Sequence, residues 1–272
     1  MAVPLYDLPA PSLRPVGLFE QTATRVEWVN RYAAGVTFEP YDLTGLTLDD
    51  IPADLCATEG DLGAARECVA WVTQTGFNLI DQFTGQTREE DEASMRANIA
   101  ARWPLLLSEA FAREFLAGAG GSDHNLTADA EDIGATSTVQ IAIAELEEIM
   151  ARGTGTSEPL GNTLGMIHMT PSTLVYAVTN GIVNRRGDTY YSPGGHLVVA
   201  DAGYQVAETT TSTMYASGPV YWALGERDAR LDTLSDGMSW SSKKNTLLWV
   251  EQAMGVIIFA PDSVWKTAVT KA

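Results

Sequence analysis

The sequence contains only two cysteines, Cys56 and Cys68. Two thiols are too few for a disulfide scaffold, and their spacing lacks the clustering of a structural zinc site. We interpret them as reduced thiols of a protein made in a cytoplasm, and we leave open a bridge between them.

Positive charge is also scarce. The 17 lysines and arginines face 35 aspartates and glutamates, which gives a formal net charge of −18. Only four residues are lysines, and the first is Lys243. This balance repels polyanions, so it excludes a basic groove that reads nucleic-acid sequence. An acidic α/β enzyme remains compatible with it.

Long apolar runs are missing. None approaches the roughly 20 residues that span a bilayer. The N-terminal stretch MAVPLYDLPAPSLRPVG has neither the basic nor the apolar region of a signal peptide. We therefore expect a soluble protein that does not contact a membrane.

Catalytic motifs are missing as well. The three histidines are scattered, and His168 lies in an apolar run where a core or surface-edge histidine is favoured over a ligand. Glu145, Glu147 and Glu148 fit the polar face of a helix. The glycine-rich residues 118–121 follow a helix, which is the wrong context for a phosphate-binding loop. We predict no catalytic, cofactor-binding or metal-binding residues; the alternative is a site assembled from residues dispersed along the chain.

The first part of the chain contains a proline-rich segment followed by a segment rich in aspartate and glutamate. Repeated proline in residues 1–17 favours extended polyproline conformations, either as a frayed tail or as an arm lying on a neighbouring subunit. Residues 18–34 suit a short helix. Residues 36–41 read as a strand whose predicted partner lies in 71–75 and 77–80. The acidic stretch between them, residues 42–70, which we call the excursion, indicates an extended two-stranded arm or a small subdomain.

The clearest helix runs from Thr87 to Gly118. Thr87 and Glu90 form a capping-box pattern, apolar residues recur at helical spacing, and Pro104 predicts a kink. An α/β pattern follows over residues 136–227, with a helix capped by Ser137 or Thr138. The end of the chain reads as a strand over 246–251, a bend, a strand over 255–259 and a last strand over 263–269.

This order of elements resembles the Hong Kong 97-type major capsid protein of a tailed bacteriophage, with the look of an actinobacterial phage. The stretches that carry the resemblance are 87–118 (TREEDEASMRANIAARWPLLLSEAFAREFLAG), 165–180 (GMIHMTPSTLVYAVTN) and 245–268 (NTLLWVEQAMGVIIFAPDSVWKTA). The resemblance implies an α+β fold. Its expected parts are an N-arm (1–34), an E-loop (35–84), a P domain with the spine helix (85–135), an A domain (136–227) and returning P-domain strands (228–272).

The implied function is structural: copies would form hexamers and pentamers of an icosahedral head enclosing DNA, in virions assembled in the host cytoplasm. Expected partners are a separate scaffolding protein, because no scaffolding segment precedes the capsid pattern, together with a portal and optionally a decoration protein. Some relatives crosslink their shells through an E-loop lysine; this excursion has none, so we expect noncovalent stabilisation. The candidate interface residues are acids of the excursion and arginines of a neighbour: Asp49, Asp50, Asp54, Arg88, Arg96, Arg102 and Arg113. An encapsulin shell, a vertex-specific pentamer protein and a dispersed-site α/β enzyme are the alternatives.

Overall fold

The computed structural model describes residues 17–27, 35–38, 72–86, 92–134, 137–154, 160–204, 211–234 and 246–270. These residues fold as α+β. In chain order the elements are α1 (Phe19–Thr22), β1 (Thr24–Arg25), β2 (Gly35–Phe38), β3 (Val72–Thr75), β4 (Phe77–Gln86), α2 (Glu92–Ala117), α3 (Leu126–Asp129), β5 (Glu131–Asp132), β6 (Ser137–Thr138), α4 (Val139–Arg152), β7 (Met166–His168), α5 (Pro171–Thr179), β8 (Asn184–Arg186), β9 (Thr189–Tyr191), β10 (Leu197–Val199), a 3-10 turn (Ala202–Tyr204), β11 (Thr211–Ser217), β12 (Tyr221–Leu224), β13 (Asp228–Leu234), β14 (Thr246–Ile258) and β15 (Val264–Thr270).

The first sheet is organised around β14. This strand pairs antiparallel with β4, β12 and β13, and β1 joins in parallel at the free side of β12. A separate ribbon of β2 and β3 lies next to β4 in the chain. The pairing of β4 with β14 is long and extends from Phe77 opposite Gly255 to Gln86 opposite Thr246. These two strands form the central pair of the sheet.

The second sheet has the order β5-β15-β11-β7-β10-β9-β8, with β6 also paired to β15. Helix α4 packs one apolar face on it through Val139, Ala142, Ile143, Leu146 and Met150. The Thr138 side chain accepts a hydrogen bond from the Ile141 N–H, and Gly153 ends the helix at φ 68°. A side-chain cap and a positive-φ glycine satisfy groups that the helix ends leave unpaired.

Helix α2 lies against the first sheet and forms the main core with it. Phe111 is fully buried and contacts Phe19, Phe77 and Trp222 at ring-centroid distances of 6.2, 5.1 and 5.0 Å. Each such aromatic pair contributes about 0.5–1.5 kcal/mol beyond the area it buries. Because these partners come from α1, β4 and β12, one side chain holds three separate segments to the helix.

Several predicted elements are confirmed. The ribbon of β2 with β3, the cap of α4 at Thr138, the helix end at Gly118 (φ 60°) and the last strand all occur where the sequence placed them. Helix α2 continues through Pro104. Its 26 residues extend for about 39 Å at 1.5 Å per residue. The capping box at Thr87 and Glu90 lies outside the described residues.

Other predictions are wrong. The helix expected over 18–34 ends at Thr22, because Thr24 and Arg25 instead pair with Tyr221 and Trp222 of β12. The bend expected after residue 251 does not exist: β14 is continuous because β4 pairs with it beyond that point. For the same reason residues 77–80 pair with β14, whereas the described residues 35–38 pair with residues 72–75.

The predicted domain boundaries stay a prediction. The strand that completes the second sheet, β15, follows β14 of the first sheet, so the chain crosses between the two sheets near its end. Among the described helices, none combines the length and apolarity needed to cross a bilayer.

Candidate assembly surface and the junction behind it

The candidate interface residues divide into two groups. Asp49, Asp50, Asp54 and Arg88 lie outside the described residues. Arg96, Arg102 and Arg113 lie on α2, and the side chain of Arg96 is likewise outside the description. The structure therefore places only the side chains of Arg102 and Arg113.

Arg102 and Arg113 are exposed on one face of α2. Eleven residues separate them, which returns a helix to nearly the same direction after about 16 Å. Arg113 forms an ion pair with Glu109 at 2.6 Å, and both side chains are open to solvent. An exposed pair of this kind contributes under about 1 kcal/mol.

Behind this face, the buried carboxylate of Asp201 joins three segments. It accepts hydrogen bonds from the Phe19 N–H at 3.0 Å, the Ser108 hydroxyl at 2.6 Å and the Gly203 N–H at 3.1 Å. Ser108 also accepts from the Glu20 N–H at 3.1 Å. Asp201 thus connects the start of α1, the middle of α2 and the 3-10 turn.

The 3-10 turn presses directly on the backbone of α2 at Gly203. A Cβ at this position would lie 2.4 Å from the backbone carbonyl oxygen of Glu109 and 2.6 Å from the backbone nitrogen of Arg113. No side chain fits at those distances, so glycine is required by the contact itself. The 3-10 turn therefore fixes the buried side of the same α2 segment whose exposed side carries Arg113.

A second buried chain of hydrogen bonds runs through His168. Its Nδ1 lies 3.0 Å from the Tyr204 hydroxyl and its Nε2 lies 2.9 Å from the Ser217 hydroxyl. Ser217 donates to the Gly218 carbonyl, so its oxygen accepts from Nε2–H and Tyr204 donates to Nδ1. Complete burial lowers the pKa of His168 to about 3, which keeps the imidazole neutral near pH 7. The expected core role of this histidine is confirmed.

Tyr204 links the two networks. It belongs to the turn that Asp201 holds, and burial, with the Asp201 charge as a second cause, raises the pKa of its hydroxyl well above the usual value. The hydrogen-bonded series Tyr204–His168–Ser217 resembles a catalytic relay only in the order of its residue types. All three are buried, so a substrate has no access to them.

The glycine-rich break after α2 binds a carboxylate of the protein itself. Glu114 is buried and accepts hydrogen bonds from the N–H groups of Gly120 and Ser122. Two amide donors of this loop are therefore already engaged by a carboxylate of the chain. Among the described residues, no group of three or more His, Cys, Asp or Glu side chains is arranged to hold a metal ion.

Sequence reasoning missed Asp201, Ser108 and Gly203. Asp201 and Ser108 are 93 positions apart, and each looks like an ordinary polar residue in its own segment. Only the short Asp-Ala-Gly run after an apolar strand signals a tight turn there. It does not indicate what the turn contacts.

No protein-family model and no curated protein matches this sequence. Solved structures match almost the whole chain. The capsid of a native GTA particle computed with C5 symmetry has a TM-score of 0.60 and 12% identity, covering 99% of this chain and 95% of that one. The capsid of Ralstonia phage GP4 has a TM-score of 0.59, 12% identity and the same coverage. A structure of Gordonia phage Cozz has a TM-score of 0.56 and 10% identity, covering 99% of this chain and 91% of that one.

The fold is that of a Hong Kong 97-type capsid protein. The fold class expected from the sequence is thereby confirmed, and α2 is its long spine helix. Within the Hong Kong 97-type fold, the Asp201 junction lies between the spine helix and the second sheet, where Ala200 follows β10 directly.

Proposed function

We propose that this chain is the structural major capsid protein of a tailed bacteriophage. Copies assemble into hexamers and pentamers of an icosahedral head that encloses DNA, and the chain contributes no catalysis. The observation that carries the proposal is the likeness to capsid subunits over 99% of this chain and 95% of theirs, since no large part of either is left over for another activity.

The charge of the chain supports an enclosing role. A formal net charge of −18 opposes tight adhesion to a polyanion, so packaged DNA would remain free to leave the shell. The buried hydrogen-bond networks around Asp201 and His168 also support a structural role, because they stabilise the subunit without offering a site to a small molecule.

The proposed partners are further copies of the chain, a separate scaffolding protein, a portal and optionally a decoration protein. The particle is assembled in the cytoplasm of a bacterial host, and no membrane takes part. Shell stabilisation is noncovalent in the excursion, where the sequence has no lysine before Lys243.

The proposed contact between subunits pairs the acidic excursion of one copy with the arginines of a neighbour. Arg102 and Arg113 are suited to this, because they are exposed on one face of a helix that is fixed from behind. Asp49, Asp50 and Asp54 are the proposed partners. Several weak pairs that form together in a shell add up, although each contributes little alone.

The test is the size of the purified native protein, measured by negative-stain microscopy with light scattering. We expect uniform shells tens of nanometres across, or rings of five or six. Shells that contain a cargo enzyme in place of DNA would favour the encapsulin alternative. Protein that stays monomeric near 29.2 kDa, even with its scaffolding protein present, would contradict the proposal.

A further inference from the structure

The turn between β9 and β10, residues 192–196, is tied to two other elements of the second sheet's side of the molecule. His196 is partly buried, and its Nδ1 accepts a hydrogen bond from the Gly165 N–H at 3.0 Å. The Gly194 N–H donates to Oε1 of Glu147, on α4, at 2.7 Å. The turn is therefore held between the start of β7 and the middle of α4 by two side chains that can change charge.

Hydrogen bonds within the turn join its two ends. The Ser192 N–H donates to the His196 carbonyl oxygen at 3.0 Å, and the His196 N–H donates to the Ser192 hydroxyl oxygen at 3.2 Å. A Cβ at Gly194 would lie 2.8 Å from Oε1 of Glu147, so a glycine at this position lets the turn approach the carboxylate this closely. A change at His196 therefore affects the whole turn.

The bond to Gly165 depends on the protonation state of His196. A neutral imidazole has one donor and one acceptor nitrogen. Because Nδ1 accepts from Gly165, Nε2 carries the proton. A protonated ring donates from both nitrogens, so its Nδ1–H would oppose the Gly165 N–H and the bond would be lost. Gly165 is buried, which makes the loss of its acceptor costly.

Two opposing influences act on the charge of His196. Burial lowers the pKa of the imidazole, and the nearby Glu147 carboxylate, a smaller cause, raises it. Burial therefore resists protonation of the ring at neutral pH, and Glu147 offers the protonated ring a negative charge on the side of α4.

The other elements around His196 contribute different groups. Residues 192–195 of the turn are uncharged. On β7, His168 already has both ring nitrogens engaged, by Tyr204 and Ser217. On β9, Tyr191 lies opposite the residue that follows His196, and the Arg186 guanidinium lies 5.5 Å from the Tyr191 ring. Within the described part of the chain, α4 thus supplies the carboxylate that attracts the charged ring.

We propose that His196 is a pH-sensitive latch on the turn 192–196. At neutral pH the imidazole holds the turn to Gly165 at the start of β7. In mild acid the protonated ring leaves Gly165, and Glu147 alone keeps the turn attached to α4. Pro193 and Gly194 are exposed, so the surface that the turn presents differs between the two states. The latch belongs to the single subunit, and it stands whether or not copies assemble.

The test is hydrogen exchange at the Gly165 amide of the full-length chain, compared at about pH 7.5 and about pH 5 and corrected for the intrinsic pH dependence of exchange. The Gly225 amide, which donates to the Met254 carbonyl in the first sheet, reports general opening of the subunit. We expect the protection of Gly165 relative to Gly225 to fall at least about fivefold in acid.

Four variants separate the acceptor from the charge. His196→Asn retains an acceptor near the Nδ1 position without a titrating ring, so its relative protection should not change with pH. His196→Phe removes the acceptor and should lower protection at both pH values. Glu147→Gln retains an acceptor for the Gly194 N–H but removes the charge, so the fall should move to lower pH. Glu148→Gln is the matched control, since Glu148 pairs with Arg152 at 3.3 Å, and should leave the midpoint unchanged.

A second measurement on the wild type covers the case in which the His196 variants do not fold. The nitrogen NMR spectrum of histidine-labelled protein distinguishes the two neutral tautomers of each of the three histidines. We expect the Nε2–H tautomer at His196. The Nδ1–H tautomer would overturn the latch, because Nδ1 could not accept from Gly165. A wild-type ratio that is constant with pH, or a fall that His196→Asn reproduces, would overturn it equally.

Discussion

At the scale of single residues, the most consequential side chain is one that reaches no surface. Asp201 gathers an amide of α1, a hydroxyl of α2 and an amide of its own turn around one carboxylate. A buried carboxylate is tolerated only when hydrogen bonds replace the water it has lost. Here those bonds also fasten segments that are far apart in the sequence.

Asp201→Ala is expected to lower the free energy of unfolding of the unassembled subunit by about 3 kcal/mol, because it leaves several buried donors without an acceptor. Asp201→Asn retains part of the acceptor capacity and should lose less. Urea unfolding measures both. The exposed Asp262→Ala is the control and should change stability by no more than about 0.5 kcal/mol. An Asp201→Ala subunit as stable as this control would show that the junction does not stabilise the fold.

His168 predicts a pH dependence of stability. Its pKa is near 3 in the folded chain and about 6.5 when unfolded, so the unfolded state binds the extra proton between these values. The contribution of His168 to the free energy of unfolding is therefore complete above about pH 6.5. It falls by about 1.4 kcal/mol per pH unit below that pH. Between pH 6.5 and 5 we expect the wild type to lose about 2 kcal/mol more than His168→Gln.

Urea unfolding at both pH values, on unassembled protein, provides that comparison. Other titrating groups are shared by the two chains and cancel in the difference. Parallel pH profiles would mean that His168 is protonated as easily in the folded chain as in the unfolded one.

At the scale of elements, the contact between the 3-10 turn and α2 is a contact between backbones. Gly203→Ala inserts a methyl group 2.4 Å from the Glu109 carbonyl oxygen, which forces the turn away from the helix. We expect a loss of about 2–4 kcal/mol. Gly225→Ala is the matched control, since a Cβ there meets its nearest atom at an ordinary 3.4 Å. Equal urea midpoints for the two variants would contradict this account.

Elements with local signals were predictable from the sequence. Helix α4 has a hydroxyl cap, an apolar stripe and a terminal glycine within its own residues, and all three operate as expected. Strand β14 was wrongly divided because residues near Ala253 and Gly255 look like a bend in isolation. Pairing of Ala253 with Leu79 and of Gly255 with Phe77 keeps the strand extended, and that partner is distant in the sequence.

The candidate site was predictable only in part. The exposure of Arg102 and Arg113 follows from their positions on an amphipathic helix. The Asp201 junction was not predictable, since a hydrogen bond across 93 positions leaves no periodic trace in the sequence.

At the scale of the whole molecule, the carboxylates of the excursion lead us to expect that assembly depends on their charge. The triple variant Asp49→Asn, Asp50→Asn and Asp54→Asn should assemble less completely and release subunits at lower denaturant concentration, because it removes the proposed partners of the arginines. Shell yield and sedimentation after a urea series measure this effect.

Salt provides the accompanying control for the triple variant. Wild-type shells should weaken as ionic strength rises, and the variant should respond less, since exposed ion pairs are screened. Undiminished yield and stability of the variant would refute the proposed pairing. Asp262→Asn, an exposed carboxylate outside the excursion, serves as the neutral substitution.

The position of β15 in the second sheet sets a condition on how the protein is made. Strands β5, β6 and β11 all pair with β15, which follows every other described strand in the chain. During translation these strands emerge from the ribosome well before the segment that joins them. Until then β11 presents an unpaired edge, and such edges promote aggregation. A nascent chain that pauses before residue 264 would therefore be the form most in need of a chaperone.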